Sequence, residues 1–134
     1  RRDAYYEQLL SISRDGNWTG WCGFFLQAIQ AQAEENLTKA SAILELYNRM
    51  KGEIQSLTHS QYAIFALDWI FERPIFRSSD FTASPSIPKP TATRILGVLK
   101  EAGVLKELRS GSGRRAAVLQ YPELLNLAEG HDAF

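Results

Sequence analysis

The chain of 134 residues holds one cysteine, one methionine and two histidines. A single cysteine excludes an internal disulfide, and His59 and His131 are isolated from each other in sequence. Neither a metal site nor a nucleophilic triad therefore has a sequence basis. No apolar run reaches the roughly 18 residues needed to cross a bilayer, and Arg1-Arg2-Asp3 lacks the apolar stretch of a secretory leader. A membrane partner is not expected, and the cytoplasm is the expected compartment, in a bacterial setting. Net charge is also lacking, with 15 Lys plus Arg against 15 Asp plus Glu, so total charge points to no polyanionic partner and only its local distribution can. The chain does not open with Met, which reads as a fragment whose upstream portion is missing.

What is present is a folding composition: 45% hydrophobic and 11% aromatic against 22% charged residues, far from the regime of disorder. One domain with a helical extension fits this length. Tyr5, Tyr6, Leu9, Leu10 and Ile12 gather on one face of a short helix from Asp3 to Ile12. Arg14-Asp15-Gly16-Asn17 breaks it, and Asn17 is placed to cap a second helix. From Trp18 to about Leu57 there is no proline, so one helix or two nearly collinear ones is expected, on the order of 60 Å at about 1.5 Å per residue. Trp18, Trp21, Cys22, Phe24 and Phe25 make its first half apolar nearly all round, which predicts burial, Cys22 included, against further protein or a second copy. Leu37, Ala40, Leu44 and Tyr47 continue it as an amphipathic, bundle-like helix.

Beyond residue 58 the pattern shortens. Thr58 or Ser60 can cap a helix over Gln61–Phe71, Ile75 and Phe76 form a brief extended piece, and Ser78 or Ser79 opens a short helix carrying Phe81. Proline-rich Ser84–Pro90 is a turn. A helix from Pro90 follows, with Ala92, Ile95, Leu96, Leu99 and Ala102 on one face, and Gly103 stops it. Val104–Leu108 and Ala116–Tyr121 read as strands around the tip Arg109–Arg115, and Pro122 opens a last helix. The expected fold is mainly α: a helical segment over residues 1–58, then a winged helix-turn-helix with a small β-hairpin wing over 59–134.

In that fold a helix enters the DNA major groove while the hairpin lies along the flanking backbone. Lys89, Arg94, Lys100, Lys106, Arg109, Arg114 and Arg115 fall on these two elements against only Glu101 and Glu107. With Ala92, Ile95, Leu96 and Leu99 inward, the outer face carries Pro90, Thr93, Arg94, Gly97 and Glu101, with Thr91 and Lys100 on its flanks. Thr93 and Arg94 are the candidates for base edges, because arginine can bond guanine at two points and threonine offers a hydroxyl and a methyl. Lys89, Arg109, Arg114 and Arg115 are assigned to phosphates, and Thr91 and Lys100 complete the candidate DNA-binding set. A protein-docking module is the alternative, as is the C-terminal part of a stand-alone winged-helix transcription regulator. Asp68 and Glu72 share a helix face at i, i+4 and read as a solvated acidic pair.

Phe76-Arg77-Ser78-Ser79-Asp80-Phe81, Lys89-Pro90-Thr91-Ala92-Thr93-Arg94 and Glu101-Ala102-Gly103-Val104-Leu105 resemble the C-terminal winged helix of Fic-family proteins (filamentation induced by cAMP). Arg2–Leu10, Asn17-Trp18, Trp21 and Phe24-Phe25-Leu26 are similar to the segment that closes the Fic catalytic domain, and Ala42–Leu46 to the linking helix. The resemblance implies a parent that transfers AMP from ATP to a hydroxyl of a target protein. The signature loop, from His-Pro-Phe to Gly-Asn-Gly-Arg, is absent; Gly111-Ser112-Gly113-Arg114 mimics its end, but Lys106 stands at the histidine position. The resemblance thus implies a fragment with no catalytic residue and no cofactor of its own, ATP belonging to the missing part. Trp18, Trp21, Phe24 and Phe25 would pack on the missing catalytic helices or drive homodimerisation. Pro85 stands where the family has an apolar residue, and Pro88 where it has a capping Ser, so the reading helix is expected to start without a side-chain cap.

Overall fold

Asn17 opens its helix as its side-chain chemistry predicts. In the computed structural model, which describes residues 2–130 and 134, the Gly20 N–H donates to Asn17 Oδ1 at 3.0 Å. Gly20 leaves room for this cap, because a Cβ there would lie 2.6 Å from Asn17 Nδ2. The cap separates α1 (Arg2–Asp15) from α2 (Trp18–Thr58), with α1 running one turn beyond the predicted Ile12. The chain divides after Ala40 into two compact units, so α2 contributes residues to both.

In the first unit, Tyr5 tilts against Phe24 with ring centroids 6.4 Å apart, and Trp21 stacks on Phe25 at 5.1 Å. None of its described side chains is buried. Cys22 is exposed, which corrects the expectation of a buried small hydrophobe: an all-round apolar helix is covered only where a further layer exists, and two helices supply none in this unit.

The second unit is a winged helix with a closed core. Residues 41–58 of α2 are followed by α3 (Ala63–Glu72), β1 (Ile75–Arg77), α4 (Ser78–Thr82), α5 (Lys89–Glu101), β2 (Lys106–Arg109), β3 (Val118–Gln120) and α6 (Pro122–Glu129). Leu46, Met50 and Ile54 of α2 join Leu67, Ile70, Phe81, Ile95, Leu99, Leu105 and Leu119 in this core. The division expected at 58/59 falls at the end of α2, whereas the compact units part inside that helix, after Ala40, and its last turns pack in the winged-helix core. Trp69 sets its ring edge-on against Phe76 and Phe81, at 4.9 and 5.1 Å. Each large side chain fully buried here contributes about 1.5–3 kcal/mol of transfer free energy.

Local chemistry explains where elements start and stop. Thr58 ends α2 with its hydroxyl turned back to the Ile54 carbonyl at 2.7 Å. Ser60 Oγ accepts from the Tyr62 N–H at 3.1 Å and its carbonyl from the Ala63 N–H at 3.2 Å. Ser60 thus shapes the turn before α3, which starts at Ala63, two residues later than predicted, with no side-chain cap. The residue preceding α5 is Pro88, also without a side-chain cap. Gly103, at φ 81°, closes α5 in the left-handed region.

The sheet has three strands in the order β1-β3-β2, both pairings antiparallel. The predicted hairpin accounts for two; Ile75–Arg77 joins as the third, pairing Ile75 with Gln120 and Phe76 with Leu119. β2 begins at Lys106, because the Val104 and Leu105 N–H groups both donate to Leu99 O, at 3.0 and 3.3 Å, and stay with the end of α5. Beyond the ends of β3, Ala117 O accepts from the Ser78 N–H at 2.9 Å and the Tyr121 N–H donates to Pro74 O at 2.8 Å. Among the described residues no helix is long and apolar enough to cross a membrane.

Candidate nucleic-acid interface

Alanine and leucine spacing decides which face of α5 turns outward. Ala92, Ile95, Leu96 and Leu99 are buried as their spacing predicts, leaving Lys89, Thr93, Arg94 and Lys100 exposed and Thr91 half-buried. The hairpin places Arg114 and Arg115 at its tip, where Ser112 and Arg115 exchange backbone hydrogen bonds of 3.0 and 2.9 Å. A cavity of about 390 Å³ lies where α4, α5 and β3 meet, lined by Ser78, Thr82, Thr93, Leu96, Gly97, Lys100, Ala117 and Leu119. The outer flank of α5 therefore opens onto a groove shared with the wing. Sequence reasoning missed Ser78, Thr82 and Ala117, which come to this groove from two other elements through the sheet.

The candidate side chains differ in their commitments. Arg94 Nη1 donates to Thr58 O at 2.8 Å. That carbonyl belongs to the last turn of α2, where unpaired carbonyls carry partial negative charge. His59, at φ 49° in the left-handed region, turns the chain away immediately after it. Thr93 Oγ1 donates back to Lys89 O at 3.0 Å. Lys100 Nζ pairs with Glu107 at 3.3 Å, and Glu107 also accepts from Ser110 Oγ at 3.0 Å. These bonds, the one from Ser110 first, hold the Glu107 carboxyl below its ordinary range. Arg109 is half-buried and folds across the hairpin, Nη2 donating to Ala116 O at 3.1 Å.

Lys89, Arg114 and Arg115 are different: all three are exposed, and their side chains have no hydrogen-bond or ion-pair partner among the described residues, which is true also of Lys106, at the start of β2 beside Tyr121 and Glu123. Arg77, at the start of α4, is a further cation near this face, but it is paired with Asp80 at 3.1 Å. Asp68, read from sequence as half of a solvated acidic pair with Glu72, instead accepts from the Tyr47 hydroxyl across α2 and α3.

In the first unit, Trp18 is 65% exposed and Phe25 48%, while Trp21 and Phe24 are half-buried. Among the described residues no group of three His, Cys, Asp or Glu side chains could hold a metal ion; His131 lies outside them. No protein-family model matches the chain.

Proposed function

We propose that residues 41–134 form a duplex-DNA-binding or regulatory winged helix, the C-terminal module of a Fic-type protein whose missing catalytic part uses ATP to place AMP on a target hydroxyl. The observation that carries the DNA reading is the trio Lys89, Arg114 and Arg115, cations without internal partners on the two elements that a winged helix turns toward a duplex. The Fic parentage rests on sequence resemblance alone. In this reading residues 2–134 contribute binding and no catalytic residue.

Salt titration of duplex binding tests it. If three cations each neutralise one phosphate, log affinity falls against log salt with a slope of about −2.7. No association at low ionic strength overturns the DNA reading. Sequencing the coding region upstream of Arg1 tests the parentage, which requires a His-Pro-Phe to Gly-Asn-Gly-Arg loop there. A second reading, docking on the catalytic part or homodimerisation, is favoured by the exposed Trp18, Phe25, Leu26 and Ile29. A concentration-dependent mass in sedimentation, abolished by Trp18→Ser with Phe25→Ser, is its expected result.

A further inference from the structure

We infer that this winged helix holds duplex DNA by its phosphate backbone and reads little of its base sequence, an inference that rests on the DNA-binding reading above. Base discrimination in the major groove requires side chains whose donors and acceptors are free to meet base edges, and arginine reads guanine by presenting two donors at once. Helix α5 leaves few such groups. Arg94 has one arm of its guanidinium bonded to Thr58 O at 2.8 Å, in a place where the end of α2 favours a cation. Arg94 is therefore a positioning residue that ties the reading helix to the end of α2.

The rest of the face agrees. The Thr93 hydroxyl hydrogen is spent on Lys89 O, Lys100 is held by Glu107, and Pro90 and Gly97 offer no polar side chain. Glu101 closes the helix at its C-terminal end, whereas it is the N-terminal residues of a reading helix that reach the bases. On α5 only Thr91, half-buried, keeps a hydroxyl without an internal partner among the described residues. The other groups with nothing among those residues to hold them, Lys89, Lys106, Arg114 and Arg115, are cations at the first residue of α5 and on the wing. A cation there meets phosphate, and phosphate contacts set position and affinity without sequence information.

The test is fluorescence anisotropy of the full chain against a panel of unrelated duplexes, with a selection from a randomised duplex pool. Affinities across the panel are expected to agree within about threefold, far short of the 10³-fold or greater ratio of specific to non-specific binding. Arg94→Gln and Arg94→Lys are both expected to bind within about twofold of the parent, with Arg94→Gln melting earlier. Arg114→Ala with Arg115→Ala is expected to flatten the salt slope by about 1.8. A selected sequence bound more than about tenfold tighter than the pool overturns the inference and leaves DNA binding standing, and loss of that preference in Arg94→Lys at unchanged circular dichroism would assign the reading to Arg94. Absence of binding to any duplex at low salt overturns the underlying reading, and the inference falls with it.

Discussion

Leu26 in α2 is 64% exposed, while Leu99 in α5 is fully buried, although each sits on a helix rich in apolar residues. The first lies in a unit of two helical segments, the second in one where five helical segments and a three-stranded sheet enclose a common interior. Hydrophobic composition alone therefore does not determine burial. A helix face is covered when another layer stands opposite it, and residues 41–134 supply that layer from within while residues 2–40 do not.

The contrast is broken most directly at these two leucines. Leu99→Ala is expected to destabilise the second unit by about 2–5 kcal/mol in urea unfolding, by lost transfer energy and a residual cavity. Leu26→Ala is expected to change stability by no more than about 0.5 kcal/mol. Equal costs would erase the distinction. A smaller effect sharpens the contrast from within the first unit: Asn17→Ala removes the bond from the Gly20 N–H and is expected to cost about 1 kcal/mol. The loss should be seen as reduced helicity by circular dichroism, with the unfolding midpoint of the second unit unmoved.

The smallest change at neutral pH concerns Tyr121. Among the described residues its hydroxyl is buried without a hydrogen-bond partner, and burial first, with Glu123 next, raises it above its ordinary value of 10.0. Above pH 10 the unfolded chain loses this proton while the folded chain keeps it, so stability present below that pH declines as pH rises. Tyr121→Phe is expected to match or exceed the parent by up to about 1 kcal/mol at pH 7. Equilibrium unfolding between pH 9 and 11 should show a shallower alkaline loss in the variant; identical slopes would exclude Tyr121 as its source.

Much of the fold was legible because its punctuation is local. Asn17, Gly103 and Pro122 mark helix ends by their own backbone or side-chain chemistry, and Ala92, Ile95, Leu96 and Leu99 declare an inward face by spacing alone. The entry of Ile75–Arg77 into the sheet was not legible, since three residues carry no period and their partner lies at Val118–Gln120. The commitments within the candidate interface were hidden for a related reason. Spacing put Arg94 outward, and outward it is, but its bond to Thr58 O depends on where two distant helix ends meet. Cys22 was misjudged because an apolar sequence shows the demand for cover and not its supply.

β3 is the middle strand, flanked by β1 from one side of α5 in the chain and β2 from the other. During synthesis β1 therefore leaves the ribosome with no neighbour to pair with, and it waits until residues 118–120 emerge. Such distant pairing is slow to form and leaves strand edges open in the interval. A ribosome stalled before Val118 would hold α3 and α5 already translated beside an unzipped sheet, a state vulnerable to chaperone capture and proteolysis.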